Sequence, residues 1–441
     1  MFADDEDTIF APASGAGRAA ISVLRISGPG CLAALRTIAP GAEFPDRRVV
    51  LRTLRRPQSG EPLDRALITR FCAPRSFTGE EMAEISVTGG RAVVSAVVTA
   101  LTLIPGLRLA EPGEFAWRAF MNGKIDLSEV EGLADLVEAE TEAQRRQAER
   151  IAGGALRSEC EAIRLSLLDA MAMVEAQIDF SDVEDASEFN LESVRSAARA
   201  ALARIDRALA TADAAQRLRE GFTVVIAGAP NVGKSTLMNA FVRRDVAITS
   251  PIPGTTRDLI EVFLDLRGYP VILVDTAGIR ESPDPIEQEG VLRAWRRAKS
   301  ADLTLWLNDG GEGEAPNVGS PTLAVRTKID LEPDRAPSTS AELAISAKTG
   351  AGIDRLLDAI AELAEERMSS REPALLTLER HRRAFRDARQ ALASMLAPGV
   401  AEPELIADDL RRAAAAMDRI VGRIGVEEVL GEIFARLCVG K

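Results

Sequence analysis

One octapeptide restricts this chain more than any other stretch: Gly228-Ala229-Pro230-Asn231-Val232-Gly233-Lys234-Ser235, a G-x-x-x-x-G-K-S loop. The run before it, Thr223-Val224-Val225-Ile226-Ala227, is short, apolar and β-branched, which predicts a buried parallel strand. The run after it, residues 235–242, can begin a helix. Strand, glycine loop and helix in this order give the motif its physical sense. Glycines let backbone N–H groups curl around phosphate oxygens, and the helix N-terminus adds partial positive charge. Val232, Gly233 and Thr236 would line that cradle, Lys234 would reach the β- and γ-phosphates, and the Ser235 hydroxyl would hold Mg²⁺.

Further motifs say which nucleotide. Val271-Ile272-Leu273-Val274 reads as a second buried strand running into Asp275-Thr276-Ala277-Gly278. An Asp at a strand end suits the surroundings of Mg²⁺, and the Gly N–H suits a γ-phosphate. Leu323-Ala324-Val325-Arg326 leads into Thr327-Lys328-Ile329-Asp330, whose carboxylate can accept from the N1 and 2-amino donors of guanine. Ser346-Ala347-Lys348 would close over the base with a backbone N–H. Four such motifs in this order resemble the Ras-like GTPases, with one departure: Thr327 stands where the pattern has Asn.

With 441 residues, two to four domains are expected. A net charge of −13 argues against broad nonspecific nucleic-acid binding, which needs clustered Lys and Arg. Four scattered cysteines form no Cys-x-x-Cys and suggest a reducing cytoplasm. The acidic N-terminus is unlike a signal peptide. The apolar stretch from Ala92 to Ile104 is too short to span a bilayer.

Residues 1–120 read as an α+β domain, with strands near 20–28, 66–71 and 83–88 and a helix over 91–103. Arg25 and Glu84, on two of those strands, are expected to face solvent. Residues 121–215 and 371–441 read as helical, with apolar stripes at helical spacing: Leu127 to Val137, Ile163 to Ile178, Leu191 to Leu209, Leu410 to Ile424 and Val429 to Leu437. Helices on both sides of an α/β module at 216–370 predict an insertion into one all-α domain. The acidic segment 179–185 misses the EF-hand spacing and reads as a solvated loop. The basic run Arg380 to Arg383, with Arg386 and Arg389, reads as a solvated helix face.

Hydrolysis leaves two gaps. A water-orienting Gln is expected just after the Asp-x-x-Gly motif, but Ile279 stands there. Glu281, Asp284, Glu287 and Glu289 are the nearest acidic candidates. No arginine finger is identifiable. Asn231 is either a turn residue or a ligand for a monovalent cation beside the phosphates, with backbone oxygens from 250–258 completing the shell. Thr256 would be the switch threonine on Mg²⁺.

Across almost the whole chain the resemblance extends to one family. Leu24-Arg25-Ile26-Ser27-Gly28, Phe77-Thr78-Gly79-Glu80, Pro105 to Arg108, Pro112 to Phe115, Asn122 to Leu127, Gly254 to Asp258 and the tail Cys438-Val439-Gly440-Lys441 are together similar to the MnmE (TrmE) tRNA modification GTPases. The resemblance implies a potassium-stimulated GTPase that forms a homodimer through its N-terminal domain. That domain would bind 5,10-methylene- or 5-formyl-tetrahydrofolate through Arg25, Glu84, Lys124 and Lys441. The Arg25 guanidinium and the Glu84 carboxylate would then face a ligand rather than solvent. The resemblance puts the potassium ligands at Asn231, Ser250, Ile252 and Thr255, and the water-orienting carboxylate at Glu287. It implies a heterotetramer with the FAD-containing protein MnmG, which with this chain installs an aminomethyl-type group on C5 of the wobble uridine of tRNA. Cys438 is either a nucleophilic thiol or a small buried hydrophobe. A second departure is Thr88, where the family usually has His. The competing reading is a ribosome-assembly switch similar to Era or Der. Ribosomal subunits rather than a flavoprotein would then co-purify.

Overall fold

The computed structural model describes residues 7–15, 17–41, 43–179, 191–229, 231–244, 246–248, 261–275, 301–309, 320–331, 343–369, 374–400, 402–424, 433–434 and 440. Its contacts divide it into two compact units. The first holds the residues before 135, with 152–164 and those from 414 onward; the second holds 135–151 and 165–413.

The first unit is built on a six-stranded sheet of β1 (Thr8–Pro12), β2 (Ile21–Ser27), β3 (Val49–Arg55), β4 (Pro62–Phe71), β5 (Met82–Thr88) and β6 (Leu107–Leu109). The spatial order is β3-β4-β5-β2-β1-β6, antiparallel except for the parallel β1–β6 pair. Side chains alternate across a strand. In β2, Leu24 and Ile26 therefore enter the core with Leu35, Ile68, Ile85 and Leu101, while Arg25 lies on the other face. Helices α1 (Cys31–Ile38) and α2 (Arg91–Thr102) supply Leu35 and Leu101. Helix α3 (Glu114–Met121) and the start of α4 (Leu127–Glu138) close on Phe434. The Phe434 ring meets Trp117 edge-on at 5.2 Å.

The second unit carries a six-stranded, mostly parallel sheet. Preceding it in the chain are α5 (Glu142–Ala152), α6 (Ala155–Asp179), α7 (Leu191–Ala210) and α8 (Ala212–Glu220). The strands are β7 (Phe222–Gly228), β8 (Glu261–Leu266), β9 (Tyr269–Asp275), β10 (Leu303–Asn308), β11 (Thr322–Arg326) and β12 (Leu343–Ala344), in the order β12-β11-β10-β7-β9-β8. Only β8 runs antiparallel, against β9. The central strands β7 and β9 read as continuous apolar runs because side chains on both faces are buried, Val224, Ile226 and Leu273 on one and Val225, Ile272 and Val274 on the other. Val224, Ile226, Leu273 and Leu305 pack with Leu237 and Phe241 of α9 (Lys234–Val242) and with Leu356 and Ile360 of the helix Ile353–Met368.

The helical stripes fall on buried faces in α6 (Ile163, Leu167, Ala170 and Val174) and α7 (Val194, Ala198 and Ile205), whereas the α4 stripe buries Leu127 and Val130 but ends on Val137, which is 45% exposed. The stripe ending at Ile424 is shorter than its spacing suggests. Its helix is Pro403–Val421, and Ile424 is 52% exposed. Of the last stripe only Ile433 and Phe434 are described, and residues 180–185 lie outside the described set. The basic run is not wholly solvated. In the helix Glu379–Met395, His381 and Arg382 are buried, and Arg382 pairs with Asp213 at 2.9 Å. Arg386 pairs with Glu379 and Arg389 with Asp206, so carboxylates already neutralise much of the run. Among the described residues no helix is long and apolar enough to cross a membrane.

Candidate functional site

The loop after β7 is shaped by three left-handed backbone positions: Gly228 at φ +150°, Asn231 at +62° and Gly233 at +107°. At Gly228 a Cβ would lie 2.5 Å from the carbonyl oxygen of Leu307, so only glycine lets the strand end pass β10 this closely. Gly233 then caps α9, which begins at Lys234. The Lys234 ammonium donates to the carbonyls of Gly228 and Ala229, each at 2.9 Å, and so lies over the loop. The Ser235 hydroxyl donates to Asp275 Oδ2 at 3.3 Å. Asp275 ends β9 and is 5% exposed. A hydroxyl and a carboxylate converging beside a phosphate loop are hard oxygen donors of the kind Mg²⁺ takes.

The motifs expected to read the base sit at the ends of neighbouring strands. Thr327 follows β11. Its N–H donates to Asn308 O at 2.7 Å, and its hydroxyl lies 2.7 Å from Val232 O and 3.2 Å from Asn308 O. Asp330 Oδ1 accepts from Ser346 Oγ at 2.7 Å, and Ser346 is fully buried. That hydrogen bond holds the Asp330 carboxyl below its ordinary range. Ser346 is fixed in turn by Ser346 N–H to Ala351 O and by Gly350 N–H to Ser346 O, both 2.9 Å. Lys328, at φ +58°, pairs with Asp309 at 3.0 Å. Ala347 is half-buried; Thr236 and Lys348 are exposed. The structure thus gathers Lys234, Ser235, Asp275, Thr327, Asp330 and Ser346 at the carboxyl ends of β7, β9, β11 and β12, the usual ligand edge of such a sheet. Ser250, Ile252, Thr255, Thr256, Thr276, Ala277, Gly278 and Glu287 lie outside the described residues.

A second constellation lies on the first unit. Arg25 and Glu84 are register partners on β2 and β5, with Nη2 and Oε1 2.9 Å apart. They are not the solvent-facing pair that strand alternation alone suggests. Arg25 is 18% exposed and its guanidinium lies over the rings of Phe77, at 5.2 Å, and Phe115, at 5.7 Å. Its Nη1 donates to Gly440 O at 3.3 Å. Its Nε is buried with no acceptor among the described residues. Gly440, at φ +101°, is wedged so that a Cβ would lie 2.4 Å from Pro12 O. Lys124 does not join Arg25 directly. Its ammonium donates to Pro74 O at 2.9 Å, and its stem lies against Gly79. Thr88 turns to Asp64 through its N–H and hydroxyl. Cys438 and Lys441 lie outside the described residues. Of the other thiols, Cys31 is buried, and that burial pushes it up to about 12.

Sequence reasoning missed an ionic cluster in the same unit. Arg118, 3% exposed, reaches Asp7 at 2.9 Å, Glu114 at 3.2 Å and Glu80 at 3.3 Å. Arg108 binds Asp7 and Glu114 from the other side. Ser27 donates to Glu80 at 2.7 Å, which ties the Phe77–Glu80 turn to the end of β2. The available signal was Glu114 and Arg118 one helical turn apart inside an apolar run. A cavity of about 440 Å³, lined by Arg146, Gln147, Tyr269 and Met368 among others, lies at the opposite end of β9 from Asp275 and contains none of the nucleotide-site residues.

A family model described as MnmE helical domain matches residues 127–438, and one described as GTP-binding protein TrmE N-terminus matches residues 8–124. The tRNA modification GTPase MnmE of Methylobacterium sp. (strain 4-46) is 51% identical over 438 residues, covering 99% of this chain and 100% of its own length. Its counterpart in Methylorubrum populi is 51% identical over 440 residues, with 99% and 98% covered. That of Beijerinckia indica subsp. indica is 49% identical over 439 residues, with 99% and 96% covered.

Proposed function

The chain belongs to the MnmE family of tRNA modification GTPases, and from that premise we propose that it hydrolyses GTP in a cycle that supports modification of the wobble uridine of tRNA. The observation that carries this reading is the match of full-length relatives, which spans the nucleotide loop and the Arg25 constellation together.

On this reading the N–H groups of Val232, Gly233 and Lys234 cradle the phosphates, and the Lys234 ammonium leaves its loop carbonyls for the β- and γ-oxygens. Asp330, oriented by Ser346, accepts from the Watson–Crick edge of guanine. The Ser235 hydroxyl, beside Asp275, fits a magnesium site that Thr256 completes; the ion would neutralise charge developing on the phosphates. Asn231, bent to φ +62° at the loop's rim, fits a potassium ligand together with Ser250, Ile252 and Thr255. Potassium would supply the charge compensation of an arginine finger. Glu287 would orient the attacking water. Two protomers pair through the N-terminal unit and, with a flavoprotein partner similar to MnmG, add a carboxymethylaminomethyl-type group to uridine C5. The buried Arg25 Nε, with no acceptor among the described residues, and the guanidinium over two rings suit an anionic, aromatic ligand of the tetrahydrofolate class. Glu84, Lys124 and Lys441 would complete that site. Folate would then bring the one-carbon unit.

The test is mass spectrometry of wobble nucleosides from cells lacking this chain. The modified uridine should vanish, return with the wild-type chain, and stay absent with Glu287→Ala. Normal nucleosides in the deleted cells would overturn the proposal.

A further inference from the structure

We propose that Thr327 confines purine reading in this site to the Watson–Crick edge, so that guanine is recognised with no contribution from its N7. This rests on the guanine-pocket reading above and deepens it.

A threonine hydroxyl has one proton and two acceptor lone pairs. That of Thr327 lies within hydrogen-bond distance of two carbonyl oxygens, Val232 O at 2.7 Å and Asn308 O at 3.2 Å. Whichever takes the proton, none is left. The backbone N–H of Thr327 is also spent, on Asn308 O at 2.7 Å. Thr327 is 6% exposed, so no water competes freely for these bonds. Lys328, the next donor along, is held by Asp309.

What this site offers a base on that side is therefore lone pairs. Guanine presents N7 and O6 there, both acceptors. A nucleotide with its N1 edge at Asp330 and its phosphates in the 228–235 loop lies with its imidazole ring toward Val232, which is the side of Thr327. The hydroxyl ties the phosphate loop to the base loop and contributes nothing to the base. An amide at this position has two N–H groups. One keeps the Val232 tie and the other is free for N7. Thr327 is thus a positioning residue toward the loop and sets specificity by what it withholds.

The experiment is equilibrium binding of GDP, 7-deaza-GDP and IDP to the full-length chain. The wild-type protein should bind 7-deaza-GDP within about twofold of GDP, and Thr327→Ser, with the same single proton, should give the same ratio. Thr327→Asn should bind GDP about fivefold more tightly relative to 7-deaza-GDP, the worth of one net hydrogen bond. A wild-type preference of about fivefold for GDP over 7-deaza-GDP, or an unchanged ratio in Thr327→Asn, overturns the inference. IDP, which lacks the 2-amino donor, separates the two levels. Weaker binding of IDP than GDP upholds the Asp330 pocket whatever the 7-deaza result. Equal binding removes the pocket, and this inference with it.

Discussion

In the proposed guanine pocket Asp330 reads the base, and Ser346 holds its carboxylate. The Ser346 hydroxyl stabilises the ionised carboxylate and so depresses its pKa below 3.8. A depressed carboxylate stays charged until the pH falls through that lowered value. Ser346→Ala moves the pKa back toward 3.8, so the acid limb of GTP binding should shift to higher pH, with little pH-dependent difference above about pH 5. Binding titrations across pH 3–7, measured on refolding-competent protein, check this; an unmoved limb contradicts it. Arg118 is the counterpart in the first unit. It is buried against Glu114, which is fully buried and also held by Arg108, so Arg118→Met removes one of that carboxylate's two guanidinium partners and should cost about 1.5–3 kcal/mol in urea denaturation. Burial pushes the neighbouring Asp7 up, but Arg108 and Arg118 outweigh it and hold the carboxyl low. Its contribution is therefore present above pH 3.8 and lost as acid titrates it.

Elements meet through a few close approaches that no other residue type allows. Gly113, at φ +73°, caps α3 where a Cβ would lie 2.2 Å from Phe434 O. Gly113→Ala should displace the 433–434 segment and destabilise the first unit by about 1–3 kcal/mol, the scale of strain or overpacking, read as a lower melting temperature; an unchanged melt would show that the segment yields freely. The parallel strands β7 and β9 were legible because burial on both faces makes them apolar runs next to turn signals. Helices α6 and α7 were legible from their stripes. Helix α5 was not: it buries only Gln147, Ala148 and Ile151, too few to raise a stripe. Strand β6 has three residues, and only its pairing with β1 makes it a strand. That same pairing brings Asp7 to Arg108 and Arg118, more than a hundred positions away. Local spacing carries no trace of such a cluster. The nucleotide motifs could be placed from sequence because each is a strand end followed by a short loop. Arg25 and Glu84 could not, since alternation places them off the core face without saying what lies there.

At the scale of the molecule, a chain of net charge −13 has little nonspecific hold on RNA, and much of the basic run after residue 379 is spent on its own carboxylates. On the proposed reading, engagement of tRNA should therefore require the proposed flavoprotein partner. Gel-shift titrations at 150 mM salt should show weak binding by this chain alone and tighter binding by the pair; equal binding would contradict that division of labour. The proposed switch couples these parts through the γ-phosphate and depends on an alkali cation beside Asn231. Phosphate release from GTP, measured on purified protein in matched KCl and NaCl, tests it most directly. Potassium should raise turnover by at least about tenfold, the scale of a preorganised charge at the transition state, and Asn231→Ala should erase the difference. Equal turnover in the two salts would contradict it.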